Sequence, residues 1–290
     1  MQTLYGFLFT IFNCFVTPDT YDGADRHFLK VFLETCAPAL RPVLNVNSQV
    51  KLHFFLQLFE TRVCDRIPKD QFDIRKMVPL FGKEILQELK IAGSIGGCKH
   101  LELVRVSPPQ VRSKHVVICI SGFLQEKEDK ADTWKNVALH YKHAEVYALS
   151  WTACNAAEFF DKGAYSRTTY LKSWLNFANF GNTVQRQYTF AYEQARLSGR
   201  LLAIFLLRSK FFQGRAVSMI GFSLGTVAAM HCIRILKLKY GQGFIKAGKI
   251  FCELQLWAGA YVIDPKKAYE ERMRTAFHLN MINGRISNLY

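Results

Sequence analysis

Ser223 sits in the run "SMIGFSLGTVAAMH", where an apolar stretch ends in Gly-x-Ser-x-Gly and a small-residue helical pattern follows at once. A serine hydroxyl is a poor nucleophile unless it is exposed and next to a base. A Gly-x-Ser-x-Gly turn between a strand and a helix solves the exposure problem. The glycines let strand and helix pass close together, and the serine is held in a strained conformation above the sheet edge. Here "AVSMIG" reads as the strand and "LGTVAAMHCIRIL" as the helix. The spacing therefore predicts a nucleophile elbow with Ser223 at its tip, rather than a serine that falls between two glycines by chance. The N–H of Leu224 would face a developing oxyanion, helped by the helix N-terminus.

A second oxyanion donor is expected from the loop after an earlier strand. "VVICISGFLQ" supplies such a loop, with Gly122 for a tight turn and the N–H of Phe123 or Leu124 as the donor. The base is harder to find. Downstream of Ser223 the only aspartate is Asp264, and the only histidines are His231 and His278. His231, two turns into the elbow helix, should point away from the serine. Asp264 and His278 are the remaining candidates for an acid and base relay. The competing reading is an N-cap aspartate before Pro265 and an ordinary histidine.

The elements that must hold these residues follow from periodicity. Residues 1–98 read as a helical N-terminal region. "NSQVKLHFFLQLFETRVCDR" has Ser48 as N-cap and a stripe through Val50, Phe54, Leu58 and Cys64, widened by Phe55, Phe59 and Val63. "KDQFDIRKMVPLFGKEILQELKI" is a second helix, with Asp70 as N-cap and Pro79 as a break. "GSIGGC" at 93–98 lacks the lysine and glycine spacing of a phosphate loop and reads as a joint. From 99 to 290, β-branched runs alternate with helical ones. That pattern predicts an α/β domain with a mostly parallel sheet and helices on both faces. An insert at about 152–192, dense in aromatics, breaks the rhythm and reads either as a lid or as a crossover with extra packing.

The chain has 290 residues, half of them apolar, and a formal charge of +15. Such a charge favours anionic partners. Its lysines and arginines are dispersed, without a zinc-finger or RNA-binding signature, so specific nucleic-acid binding is not expected. The charge reads either as a solvated basic surface or as one that meets an anionic membrane. Eight cysteines without C-x-x-C spacing argue against zinc and for a reducing, intracellular setting. No cofactor motif is present. "MQTLYGFLFTIFNCFV" lacks a basic start and is short for a membrane span, so it reads as a packed helix.

The blocks "VVICISGFLQEKEDKADTWKNV", "AEVYALSW", "SGRLLAIFLL" and "RAVSMIGFSLGTVAAMHCI" resemble the α/β-hydrolase domain of the transmembrane and coiled-coil domain protein 4 family over about residues 80–290. The resemblance implies an α/β-hydrolase-like fold with lipase-like chemistry. It places the nucleophile on Ser223 and the first oxyanion loop on Ser121 to Leu124. Two departures stand out. The family's membrane-spanning segments have no counterpart ahead of the domain here. "NGRISNLY" resembles the strand after which the family's acid comes, so the acid and later histidine would fall past Tyr290. Three functions are consistent with this pattern. The chain is a serine ester hydrolase acting on a lipid-like substrate, or a non-catalytic hydrolase-like protein that binds lipid or protein at a membrane, or a piece of a longer enzyme. With its triad incomplete, the chain is expected to be at most weakly hydrolytic.

Overall fold

The computed structural model describes residues 2–44, 48–81, 98–123, 129–153, 177–238, 251–258 and 285–289. At its centre is a seven-stranded sheet of order β1-β2-β4-β3-β5-β6-β7. The strands are β1 (Gln71–Asp73), β2 (Leu101–Arg105), β3 (His115–Ile120), β4 (Glu145–Trp151), β5 (Ala216–Phe222), β6 (Phe251–Trp257) and β7 (Arg285–Leu289). From β4 to β7 every neighbouring pair is parallel, while β2 runs antiparallel to β4 and β1 antiparallel to β2. All six residues of β3 and all seven of β4 are buried. That matches their unbroken apolar sequences, because a parallel strand covered on both faces has no solvent side.

Two layers of helices supply the cover. On one face α6 (Phe177–Arg208) and α7 (Leu224–Leu238) pack on Val116, Ile118, Ile120, Val217 and Met219. On the other face α5 (Lys130–His140) places Trp134 and Val137 against Val117, Cys119, Val146 and Ile220. Asp129 caps α5, its carboxylate accepting from the Ala131 N–H at 2.8 Å.

The N-terminal region contains α1 (Gln2–Phe15), α2 (Gly23–Leu44), α3 (Ser48–Arg62) and the single-turn α4 (Ile74–Met77). It shares a core with the sheet. Leu8, Phe12, Leu29, Leu33, Phe55 and Phe59 close around Ala216 of β5 and Cys252 of β6. The uncharged first helix is thus packed, as its composition predicts. Among the described residues no helix is long and apolar enough to cross a membrane.

Three expectations need correction. Residues 71–73 are not helical: they form β1, with Phe72 opposite Leu103, and so lengthen the sheet from within the N-terminal region. The cap of the helix that follows is therefore Asp73, which accepts from the Lys76 N–H at 3.0 Å, and not Asp70. On α3 the buried stripe runs through Phe55, Leu56 and Phe59, while Phe54 is exposed. Edge-to-face packing of Phe12 on Phe59, at 5.2 Å between centroids, selects that face.

The stripe on α3 includes a carboxylate. Glu60 is fully buried, and its Oε1 accepts from Tyr21 Oη at 2.6 Å and from Arg26 Nε at 2.8 Å. Burial raises the Glu60 pKa, opposed by the Arg26 charge. The joint at 93–98 lies outside the described residues except for Cys98, which is buried. The same holds for the aromatic insert at 154–176, whereas 177–192 form the first half of α6.

Candidate functional site

At the end of β5 the chain turns straight into α7, and Ser223 is the single residue between them. Its φ is 51°, in the left-handed region that a serine rarely occupies. Such a conformation costs about 1–3 kcal/mol and persists only when the surroundings enforce it. Two sets of bonds do so. The Ser223 N–H donates to the Trp257 carbonyl at the end of β6, at 3.0 Å. The Ser223 carbonyl accepts from the Thr226 N–H at 3.0 Å and from Thr226 Oγ1 at 2.6 Å, closing the first turn of α7.

The glycines explain how strand, loop and helix come this close. A Cβ on Gly225 would lie 2.1 Å from the Ile120 carbonyl oxygen, so the start of α7 rests directly on the end of β3. A Cβ on Gly122 would lie 2.8 Å from the Ser223 Cβ. A Cβ on Gly221 would press on Gly225 and Thr226 at 2.9 Å. The register places Ile120 beside Gly221, so the loops after β3 and β5 leave the sheet level with each other. Ser121 to Phe123 thus border the elbow. Leu124, the other expected donor on this loop, lies outside the described residues.

Two tryptophans fix the start of that loop. Trp134 Nε1 of α5 donates to Ser121 Oγ, and Trp151 Nε1 at the end of β4 donates to the Ser121 carbonyl, both at 3.0 Å. Phe123 turns its ring onto Tyr188 of α6, edge-to-face at 5.9 Å. Trp151→Phe keeps most of the buried ring but orphans the Ser121 carbonyl, so a loss of about 1–3 kcal/mol is expected. Urea unfolding reads the loss as a lower midpoint at unchanged slope, because the same surface is exposed on unfolding.

Beside the elbow lies a cavity of about 550 Å³, with Trp134, Val137, Tyr141, Phe222, Gln255 and Trp257 among its lining. Phe222 precedes Ser223 in the chain and Trp257 accepts its N–H, but the serine itself does not line this cavity. Its mostly aromatic and aliphatic walls suit an apolar group. Ala258, just past β6, is the other non-glycine residue with positive φ among the described residues, at 45°. The two strained positions therefore occupy one edge of the sheet.

His231 is nearly buried on α7, and burial, then Arg196, Arg234 and Arg200, push its pKa down from 6.5 to about 4. Facing the arginines of α6, it is not offered to Ser223. The sign of its pH effect is fixed. The unfolded chain takes up a proton below 6.5, the folded chain only near 4, so stability is full above 6.5 and falls between these values. The expected loss is roughly 2–3 kcal/mol. Unfolding midpoints measured across that range should fall for the protein and fall less for His231→Gln. Asp264 and His278 lie outside the described residues.

Among the described residues no group of acids, histidines and cysteines could hold a metal ion. Cys119, Cys232 and Cys252 are buried, and burial pushes their thiols up, which leaves them unreactive. Sequence reasoning missed Trp257, Trp151 and Trp134 as the supports of the two loops. Their bonds span 13 to 34 positions, and no local spacing signals them.

A family model described as "Protein of unknown function (DUF726)" matches residues 167–284, a span that contains α6, the elbow and α7. No curated protein and no solved structure matches the chain.

Proposed function

We propose that this chain is an α/β-hydrolase-like protein whose Ser223 is the nucleophile of a serine ester hydrolase acting on a lipid-like substrate. The observation that carries this reading is the left-handed Ser223 at the β5–α7 turn, with Gly122 of the β3 loop in contact with its Cβ. Elbows of this kind raise the hydroxyl above the sheet and set it beside two backbone donors. In the proposed step Ser223 Oγ attacks the ester carbonyl carbon as its proton passes to a base. The carbonyl oxygen takes up the negative charge, held by the N–H of Leu224 and that of Phe123 or Leu124. Collapse then expels the alcohol, which recovers the proton, and leaves an acyl-serine for water to cleave.

Asp264 and His278 follow Ser223 in the order that such triads use, and they are the proposed acid and base. The apolar cavity beside Phe222 is the proposed seat of the acyl chain. Hydrolysis of a chromogenic octanoate ester tests the assignment. Slow turnover is expected in the protein, at the uncatalysed rate in Ser223→Ala and lowered in His278→Ala. Turnover unchanged in Ser223→Ala would rule out the nucleophile. Saturable octanoate binding without any turnover would favour the non-catalytic, lipid-binding alternative.

A further inference from the structure

Away from the elbow, α6 and α7 gather three arginines around one paired carboxylate, Glu193. Arg196 and Arg200 lie one turn apart on α6, and His231 and Arg234 lie one turn apart on α7. The helices cross in backbone contact next to them, since a Cβ on Gly199 would fall 2.1 Å from the Ala228 carbonyl oxygen. Arg196 Nη1 donates to both carboxylate oxygens of Glu193, at 2.8 and 3.1 Å. Among the described residues, no carboxylate pairs with Arg200 or Arg234. The Nε of Arg196 and the Nε of Arg200 are each shielded from solvent and have no acceptor. A buried donor without an acceptor costs free energy that a bound oxyanion would recover.

We propose that Arg196, Arg200 and Arg234 form a binding site for a phosphate group. Guanidinium forks suit its oxygens, and binding would relieve both the orphaned donors and the repulsion among the three cations. That repulsion contributes at Arg200, whose pKa is lowered by burial and then by Arg196, opposed by Glu193 and reinforced by Arg234. His231, one turn before Arg234 on α7, is neutral and adds no charge of its own at neutral pH. The phosphate could belong to a soluble ligand or to a lipid headgroup. The net charge of +15 would draw either one in.

Two binding measurements on the whole chain separate the sources. The first is calorimetric titration with inorganic phosphate. The second is flotation with phosphatidylcholine vesicles, with and without phosphatidic acid. Replacing Arg200 and Arg234 together by glutamine should weaken phosphate binding by about tenfold or more, since each removes a charge-assisted bond. Lys142→Gln with Lys210→Gln removes the same charge from exposed positions elsewhere and should leave binding unchanged. Loss in the arginine pair alone, with free phosphate binding, establishes a site for a soluble phosphate ligand. The same pattern confined to phosphatidic acid vesicles establishes a headgroup site. Equal loss in both pairs, or no binding to either probe, overturns the proposal, leaving only diffuse surface charge. Folding of both pairs is checked by their urea midpoints, which should not fall below that of the unsubstituted protein.

Discussion

Gly225→Ala is expected to be among the most damaging single substitutions in the protein, although it adds one methyl group. The new Cβ would lie 2.1 Å from the Ile120 carbonyl oxygen and 2.8 Å from both the Ile120 carbonyl carbon and the Ser121 carbonyl oxygen. All three are backbone atoms of the central strand and its loop, so no side chain can swing aside. Either α7 lifts from β3 or the β3 loop moves. Both movements separate Gly122 from Ser223 and disturb the bonds of Trp134 and Trp151 to Ser121. Overpacking in a well-packed core costs about 1–3 kcal/mol and more when the backbone must shift, so a loss of at least about 3 kcal/mol is expected here. Urea unfolding measures it. A fall within experimental scatter would mean that α7 does not rest on β3 as described.

The second large effect is expected at the opposite end of the sheet. Arg215, just before β5, pairs with Glu145, the first residue of β4, at 2.6 Å, and neither side chain is exposed. Glu145 also accepts from the Ser113 N–H at 3.1 Å and from Tyr147 Oη at 3.2 Å. Arg215 donates to the Ser113 carbonyl and lies over the Phe211 ring at 4.5 Å. This cluster ties together the starts of β4, β3 and β5, and so sets the register that brings the β3 and β5 loops level. Arg215→Leu would leave the Glu145 carboxylate buried without its partner, and about 3–5 kcal/mol of stability should be lost. Adding Glu145→Leu removes the stranded charge and should restore much of that loss. If the double variant is as unstable as the single one, the damage comes from packing on Phe211 and not from the unpaired charge.

How much of this was legible in the sequence depended on distance along the chain. The β5–α7 unit was legible because its signals are local: a short apolar run gives way to a helical period across "GFSLG". Gly225 and Ser223 could be singled out from that alone. The buried runs of β3 and β4 were legible for the same reason. β1 was not, because three residues, "QFD", are a strand only through pairing with β2 some thirty positions later. The antiparallel direction of β2 was hidden too, since an isolated "LELVR" carries no direction. The buried Glu60 contradicts the rule that carboxylates lie outside. It becomes intelligible only once Tyr21 and Arg26 are seen around it. At the site, the serine and the adjoining loop were legible, but the three tryptophans that hold them were not.

The most direct test of Ser223 as a nucleophile is covalent labelling by a fluorophosphonate, with the modified residue identified by mass spectrometry. The hydroxyl attacks phosphorus, fluoride leaves, and the serine proton is taken up by base, so labelling reports an activated serine and needs no knowledge of the substrate. The expected result is slow, saturable labelling of Ser223 that is absent in Ser223→Ala and slower still in Gly122→Ala, where a Cβ would crowd the serine at 2.8 Å. Labelling that persists in Ser223→Ala, or a Ser223 that stays unmodified at saturating probe in the folded protein, would contradict it.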